Sequence, residues 1–533
     1  MDKAAKTGWE EALARYGFCI EDKYLLKRSM LYTFLLGLSA HGFVLVNLSI
    51  SHDAVFDFYD GLAAHKHQIG LGRILEPFYR EITGSGLLMP WCLGIMAFFW
   101  LGIAVFLVCK LFGLSDRMEV LLTAGIMTVN ISVTAVAAAY TPWLAADMFA
   151  LLFAVAGVYF WRHYGKSGRK GHLFLGVLSV IVSLSVYQCY LAVTAVLMIL
   201  LSMQNIFDCE GSAKVFRDGM AGVGMLAAGG AGYYFLMKFV CALAGMPLAK
   251  GYYDSVTNLW DNRESVAERI VHCLKEEATH FFAKDENVYP YQLIWTVNCL
   301  IGCVCICLAL RLVRQKRNEW SKGEWALLAL LTAALPFAAY MMRLLNLHVH
   351  DLMVYSVWLL YLVPVLLGKW TVRGDGSIRR QRTAVDTAFH AVTAVFLSFI
   401  IFSCIQTDNA VYVKKRVESE ATLSLMTEAM TLVDQTEGYV PGETAVTFVG
   451  DIADVMQELP GTDRVKGISG CNKSAAITYK ETYQAYFDHV MLRDVKVVFE
   501  DTVKEEAESL RMPAYPQAGY VQMVDQTVVV KWN

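Results

Sequence analysis

The chain has 533 residues, of which 56% are hydrophobic and only 18% are charged, and its mean hydropathy is +0.42. A soluble globular domain has about a quarter charged residues, so this composition excludes an ordinary soluble protein and predicts long membrane-spanning runs. The basic residues fall in short clusters between apolar runs and the net charge is −3, so we expect no nucleic-acid partner.

Apolar runs dominate the first 405 residues. A transmembrane helix needs about twenty predominantly apolar residues, and the sequence predicts a mainly α, polytopic helix bundle of about 11 spans. The first run follows a polar segment without a cleavage-site pattern, so we interpret it as a retained span rather than a signal peptide. The predicted spans are approximately 31–50, 87–109, 119–139, 143–161, 173–187, 190–206, 219–244, 291–310, 325–342, 351–368 and 385–405.

Lysine and arginine predict how the bundle is oriented. They cluster before the first span and in the loops after the fourth, eighth and tenth spans. Because positively charged short loops stay in the cytoplasm, we expect segment 1–30 to be cytoplasmic. An odd number of spans then places everything after residue 405 outside the cytoplasm.

Three regions are predicted to lie outside the multi-span domain 31–405, on its extracytoplasmic face. They are the loops 51–86 and 245–290 and the segment 406–533. The second loop contains "SVAERIVHCLKEEATHFF", whose apolar residues recur at helical spacing, which predicts an amphipathic helix at the membrane surface. The third carries strand-like runs, "TAVTFVG", "VKVVFE" and "QTVVVKW", and is predicted to be a small α/β domain. A fragment from about residue 436 is expected to fold in water.

The first outer loop begins with a row of acids. In "SHDAVFDFYDG", Asp53, Asp57 and Asp60 share one face of a helix. Charges after a span often only anchor it at the interface, and that reading stays open here. Three like charges on one face repel each other, however, and close carboxylates shift apart in pKa, so that one can act as a base near neutral pH.

The same loop continues with an arginine behind two glycines, in "HQIGLGRILEPFYR". Gly70 and Gly72 permit a close backbone turn before Arg73. An arginine can hold a phosphate through two parallel hydrogen bonds. A base beside a phosphate ligand at a membrane surface suits a reaction on a phosphorylated lipid.

Several segments together resemble the bacterial Gtr-type glucosyltransferase family, which has the type-C glycosyltransferase architecture. The first loop and second span resemble it through "NLSISHDAVFDFY", "HQIGLGRILEPFYR" and "MPWCLGIMAFFWLGIAVFLVCKLF". The segments "SVYQCYLA", "QTDNAVYVKKRVESEATLSL" and "MPAYPQAGYVQMVDQTVVVKW" resemble later parts of the family. The matching segments occur in order from about residue 25 to residue 533.

The resemblance implies a transferase of the bacterial cytoplasmic membrane that works on its outer face. Such enzymes take a sugar, typically glucose, from polyprenyl phosphate and add it to a surface glycan. The essential acid of this architecture lies in the first outer loop, which by position carries over to Asp53 or Asp57. Arg73 would then stabilise the leaving phosphate, by analogy with other phosphate clamps.

Further polar residues near the predicted outer surface are candidates for binding. Asp60, Asp147, Tyr187, Gln188 and His350 are candidate substrate-binding residues, and Lys238 and Arg343 are candidate ligands of the donor phosphate. Each also has a structural reading, such as capping a helix end or extending a charge toward the interface.

Two other functions fit parts of the pattern. A multi-span transporter or flippase for lipid-linked sugars would explain charges within the membrane, but it predicts inverted repeats, which are not visible. An assembly protein would need no row of acids. The acid row could bind a divalent metal, but no complete ligand set is visible, so no cofactor is predicted with certainty.

Overall fold

A computed structural model describes most of the chain. The described residues are 16–19, 22–47, 50–51, 54–55, 62–83, 89–248, 264–282, 293–346, 349–372, 383–468, 470–471, 476–477, 480–499 and 511–533. Three predicted site residues, Asp53, Asp57 and Asp60, lie outside these ranges.

The described elements are mainly helices, followed by a small sheet. In chain order the helices are α1 Asp22–Val46, α2 Leu62–Gly70, α3 Glu76–Ile82, α4 Pro90–Phe112, α5 Arg117–Thr128, α6 Ile131–Ala139, α7 Leu144–Ser167, α8 Lys170–Val186, α9 Leu191–Phe207, α10 Ser212–Ala244, α11 Val266–Phe282, α12 Ile294–Lys316, α13 Lys322–Ala339, α14 Met341–Leu345, α15 Tyr355–Trp358, α16 Val363–Val372, α17 Ala384–Gln435, α18 Ile452–Val455 and α19 Lys480–Tyr486. The strands are β1 Ala445–Val449, β2 Lys496–Val497, β3 Val521–Val524 and β4 Thr527–Lys531.

The predicted helix bundle is confirmed. Within the described part of the chain, nine helices are long and apolar enough to cross a membrane, and the bent pair α5–α6 makes ten. The apolar helix α8, with 17 residues, is shorter. Each of the eleven predicted runs falls on one of these helices, so the hydropathy pattern located them correctly.

Local sequence signals fix several helix ends. Asp116, Ser321 and Thr383 each cap a helix N-terminus, and an acidic side chain three residues later bonds back to the cap, which forms a capping box. Helices α4 and α7 end at Gly113 and Gly168, both in the left-handed conformation that glycine adopts without strain.

The break between α5 and α6 exposes backbone groups inside the bundle, where no water is available to satisfy them. The two helices are bent by 40° at this point. The carbonyl of Met127 accepts a hydrogen bond from Tyr355 Oη at 2.6 Å, and the carbonyl of Thr128 lies 2.9 Å from His41 Nε2. Asn130 caps α6 by accepting from the Val133 amide. These side chains stabilise the bend.

We therefore expect Tyr355→Phe to destabilise the protein although it keeps the ring. The Met127 carbonyl would lose its shorter hydrogen bond and keep the one from Asn130 Nδ2 at 3.1 Å, and the loss of one buried hydrogen bond costs about 0.5–1.5 kcal/mol of the free energy of unfolding. Thermal unfolding in detergent measures this. Tyr24→Phe, at a site that is 62% exposed, is the matched control. Equal melting temperatures for the two variants would contradict the stabilising role of Tyr355.

Two ion pairs lie at the end of the bundle that is called the basic end here. Lys369 bonds Glu119 at 3.0 Å, and Arg311 bonds Asp386 at 2.6 Å. These pairs tie α16 to α5 and α12 to α17. The α/β sheet lies at the opposite end, called the domain end.

The C-terminal sheet has the strand order β2-β1-β4-β3. Strand β1 pairs in parallel with β2 and β4, and β3 pairs antiparallel with β4. The three strand-like runs of the sequence thus coincide with β1, β2 and β4, and the predicted α/β domain is confirmed.

The long helix α17 joins the membrane bundle to this sheet without a break. It has 52 residues, so residue 406, where the sequence predicts the outer segment to begin, lies inside a continuous helix. The second half of α17 contributes buried side chains to the core of the sheet domain: Met426, Ala429, Met430 and Val433. Ile50, the last residue of the first predicted span, joins the same core together with Ala54 and Val55 from the first outer loop.

This packing changes the expectation for the isolated domain. A fragment 436–533 lacks four buried side chains of α17, and burying a large apolar side chain contributes about 1.5–3 kcal/mol. We expect fragment 436–533 to be largely unfolded and fragment 418–533 to melt cooperatively, as measured by circular dichroism. Identical melting of both fragments would show that α17 is not part of the domain core.

Candidate anion site at the domain end of the bundle

The turn between α2 and α3 carries Arg73 and is held tightly against two other helices. Gly72 has a φ of +81°, and a Cβ there would lie 2.5 Å from Tyr233 Oη and 3.0 Å from Gln188 Nε2. Only glycine avoids both the strain and the clash. The Leu71 carbonyl accepts from Gln188 Nε2 at 3.1 Å, and the Gly72 carbonyl accepts from Tyr233 Oη at 3.0 Å. The turn is therefore rigidly placed.

The Arg73 guanidinium lies between two aromatic rings. Its Cζ is 5.3 Å from the centre of the Trp143 ring and 4.9 Å from that of the Tyr187 ring. Cation–π contacts of this kind attract the charge and orient the guanidinium plane. Arg73 Nη1 also donates to Gln68 Oε1 at 3.3 Å. Arg73 is thus prepositioned by two aromatic rings and an amide, none of which carries a formal charge.

Among the described acidic side chains, Asp147 is the one whose charge acts most on Arg73. It lies in the first turn of α7, is 5% exposed and attracts the charge of Arg73. Burial lowers the pKa of Arg73, but the combined attraction of Tyr187, Asp147 and further neighbours outweighs it and raises that pKa above its ordinary value. Arg73 is therefore permanently charged.

Three buried donors around the site have no hydrogen-bond partner among the described residues. They are Arg73 Nε, Trp143 Nε1 and Tyr187 Oη. An unsatisfied buried donor costs about 1–3 kcal/mol, so three at one place are expensive for folding alone. A bound anion would satisfy each of these donors that it reached. The cluster of one cation and two neutral donors has the chemistry of a phosphate site.

Four of the predicted site residues meet here: Arg73, Asp147, Tyr187 and Gln188. Their direct neighbours Gln68, Tyr140, Trp143, Tyr190 and Tyr233 were not predicted as site residues. The turn "YTPW" followed by an acid was the signal for Tyr140 and Trp143. Tyr233 comes from the middle of an apolar helix, where no sequence pattern marks it.

Lys238 lies near this cluster without joining it. The neighbouring Met237 and Cys241 pack with Ile74, the residue after Arg73. The Lys238 side chain itself is exposed, and its Nζ lies 5.6 Å from the centre of the Tyr234 ring. Its proposed contact with a lipid phosphate stays a prediction.

Arg343 lies at the domain end, apart from the Arg73 cluster, and forms ion pairs with two carboxylates. Its Nε bonds Glu276 at 2.8 Å and its Nη1 bonds Glu264 at 3.2 Å. These bonds from Arg343 are the main reason that the pKa of Glu264 is lowered. The contacts favour a structural role that ties α14 to α11 over the predicted phosphate contact. His350 is exposed and directly precedes the short helix Asp351–Met353; its substrate-binding role also stays a prediction.

The described residues beside the acid row lie close to the same site. Ser51 Oγ donates to the Ala139 carbonyl and accepts from the Ala54 amide. Ala139 directly precedes Tyr140, whose ring stacks on Trp143 with centres 4.5 Å apart. Ser51, which precedes Asp53 by two residues, is thus linked through Ala139 to the Tyr140–Trp143 turn. The Trp143 ring of this turn contacts Arg73.

A metal site was left open by the sequence. Among the described residues, no three His, Cys, Asp or Glu side chains are grouped so that they could hold a metal ion. Asp53, Asp57 and Asp60 fall outside that search.

A bundle of membrane-length helices with a cationic candidate site at one end defines a multi-pass membrane protein. The chain belongs to the glucosyl transferase GtrII family, whose model matches residues 42–363, more than half of the chain. This match confirms the family resemblance and identifies a membrane glycosyltransferase.

One similar solved structure is the archaeal oligosaccharyltransferase AglB from Archaeoglobus fulgidus in complex with an inhibitory peptide and a dolichol-phosphate. The TM-score is 0.33 and the sequence identity is 12%, with 86% of this chain and 64% of that chain covered. This chain thus spans less than two thirds of the length of that structure, and the likeness is too distant to carry an argument. No curated protein matches the chain significantly.

Proposed function

We propose that this glycosyltransferase moves glucose from polyprenyl phosphate to a surface glycan on the outer face of the bacterial cytoplasmic membrane. The observation that supports the donor class is the group of three buried donors without partners at Arg73, Trp143 and Tyr187. The lipid tail keeps a lipid-linked phosphate at the membrane surface, which is where the membrane-spanning helices end. The donor's phosphate would accept from these groups while its polyprenyl tail lies between helices.

In the proposed reaction an acceptor hydroxyl attacks the anomeric carbon of the lipid-linked sugar. Asp53 or Asp57 removes the hydroxyl proton as the new carbon–oxygen bond forms. The bond from the anomeric carbon to the phosphate oxygen breaks, and its electron pair stays on the phosphate. Arg73 stabilises the charge that develops there. One general base suffices for an inverting displacement.

The remaining predicted residues are proposed to position Arg73 or to bind the substrates. Asp147, Tyr187 and Gln188 orient Arg73 and its turn, and Asp60 and His350 are proposed to contact the sugar or the acceptor. Lys238 is proposed to approach the lipid phosphate from the exposed side of α10. The charge pattern supports a cytoplasmic N-terminus and an extracytoplasmic α/β domain.

The proposal is tested with the purified full chain and radiolabelled polyprenyl-phosphate glucose, using glycan fragments of the producing cell as acceptors. The expected result is radiolabel in the glycan and release of polyprenyl phosphate in equal amounts. Transfer from a nucleotide sugar, with none from the lipid-linked sugar, would refute the donor class. Movement of the intact lipid-linked sugar across vesicles without transfer would favour the flippase alternative.

A further inference from the structure

One face of helix α10 packs against the turn between α2 and α3. Tyr233, Met237 and Cys241 follow one another at intervals of four residues and therefore lie on the same side of α10. Met237 and Cys241 pack with Ile74, and Cys241 Sγ lies 3.7 Å from the Ile69 carbonyl oxygen. This face of α10 is thus a wall of the turn.

The outer side of α10 is apolar and exposed. Tyr234, Phe235 and Phe239 are 49%, 70% and 61% exposed, and on a membrane-spanning helix such side chains face lipid. Lipid offers no water to replace a lost hydrogen bond, so polar groups at this depth need partners within the protein. The hydroxyl of Tyr233 finds its partners on the inner side, in the turn and its neighbours.

These partners form a relay of three hydrogen bonds. Gln188 Nε2 has two hydrogens, and it donates to the Leu71 carbonyl at 3.1 Å and to Tyr233 Oη at 2.9 Å. Tyr233 Oη donates its own hydrogen to the Gly72 carbonyl at 3.0 Å. Because a carbonyl can only accept, the direction of every bond in the relay is fixed. The two carbonyls that precede Arg73 are therefore held by two side chains from other helices.

The backbone after Arg73 is anchored as well. The Leu75 amide donates to the Ser185 carbonyl of α8 at 2.9 Å. The Arg73 guanidinium lies between the rings of Trp143 and Tyr187, so a shift of the turn would move it away from both rings. The position of the guanidinium thus depends on the relay as well as on its direct neighbours.

We propose that Tyr233 is a positioning residue for the phosphate of the lipid-linked donor. Its hydroxyl, together with Gln188, holds the Gly72 carbonyl and so keeps the Arg73 guanidinium where the phosphate binds. This inference rests on the proposed function, because it takes Arg73 as the ligand of the donor phosphate. Tyr233 acts through the turn and not by contact with the donor. Such placement matters because a shift of about 1 Å in a positioned group can cost about 100-fold in rate.

The test is a double-mutant cycle with the purified full chain and polyprenyl-phosphate glucose. Tyr233→Phe keeps the ring and removes the hydroxyl; it should lower kcat/KM for the donor about tenfold and leave the acceptor KM unchanged. In an Arg73→Ala background the same substitution should change donor kcat/KM by less than about twofold, because residues that act through one group are not additive. Any loss of stability caused by the missing hydroxyl occurs in both backgrounds and cancels in the cycle.

Tyr234→Phe is the matched control, because it makes the same substitution at the next residue of α10, on the exposed side. It should keep donor kcat/KM within about twofold of the wild type, as expected for an exposed position. The same cycle is also measured as the equilibrium affinity for polyprenyl phosphate, which needs no turnover and so remains accessible when Arg73→Ala is slow. If Tyr233→Phe aggregates, Gln188→Met takes its place, since it removes two bonds of the relay, and it should show the same coupling to Arg73.

The outcomes separate this inference from the proposed function. Unchanged donor kinetics and affinity in Tyr233→Phe, or a loss of the same size in the Arg73→Ala background, would overturn the positioning role and leave the donor site at Arg73 intact. An equal loss in Tyr234→Phe would show a general sensitivity of α10 and would also overturn it. Wild-type donor kinetics and affinity in Arg73→Ala would instead refute the donor site itself, and the role of Tyr233 with it.

Discussion

Asp53→Asn is expected to lower the transfer rate by about 100- to 10,000-fold, the usual cost of losing a general base. Asparagine keeps the size of the side chain and cannot accept the hydroxyl proton. Asp57→Asn is expected to be equally severe if Asp57 is the base, and milder if Asp57 only raises the pKa of Asp53. Single-turnover rates of purified variants at matched expression measure the effect.

The pH profile separates a catalytic acid from a structural one. A carboxylate base loses activity as pH falls through its pKa, because the protonated form cannot accept a proton. The variant that removes the base should lose this acidic limb of the profile, and any residual rate should change little with pH.

A matched control for this pair is Glu81→Gln, which neutralises an exposed acid in the same outer loop. It should keep nearly all activity, because Glu81 lies on the outer side of α3. If Asp53→Asn and Asp57→Asn both keep near wild-type turnover, the acid row only anchors the span and the proposed mechanism is wrong.

Hydropathy located the helices because a membrane imposes a length and an apolar composition on every span. It placed the start of the outer domain at 406, where polar residues appear, but α17 continues to Gln435. The reason is local: residues 384–435 contain no Gly or Pro, and pairs such as Arg416 with Glu420, 2.7 Å apart, support a solvated helix. A change in polarity marks the membrane boundary, not the end of a helix.

The candidate site was predictable only where a local sequence signal marks a residue. Arg73 follows a glycine whose positive φ a sequence can suggest, so the turn was recognisable. The aromatic neighbours come from helices distant in sequence and meet only in the packed bundle. For Arg343, two glutamates from residues 264–276 reach the guanidinium, and no spacing in the sequence predicts that contact.

The second large effect is expected at Arg73. Arg73→Ala should lower kcat/KM for the lipid-linked donor by about 100- to 1000-fold, the usual cost of removing one charge-stabilising donor at a reacting group. The donor is a phosphodiester with one negative charge, and the leaving lipid phosphate monoester carries two. An arginine that contacts the phosphate therefore binds the transition state more tightly than the donor, so kcat should fall as well as affinity.

Finer substitutions distinguish a phosphate ligand from a structural cation. Arg73→Lys keeps the charge but loses the two-pronged geometry and the fit between the rings, so it should cost about tenfold, close to one charge-assisted hydrogen bond. Trp143→Phe and Tyr187→Phe keep an aromatic ring and remove one unpartnered donor each. Each should raise the donor KM and leave the acceptor KM unchanged.

Arg343→Lys is the matched control, because its guanidinium is held by Glu264 and Glu276. It should lower the melting temperature with little effect on donor KM. Arg73→Ala should also lower the melting temperature, because buried Asp147 loses the cation that attracts it, but unlike Arg343→Lys it should impair the donor kinetics of the protein that remains folded. Unchanged donor kinetics in a folded Arg73→Ala protein would show that the donor phosphate binds elsewhere.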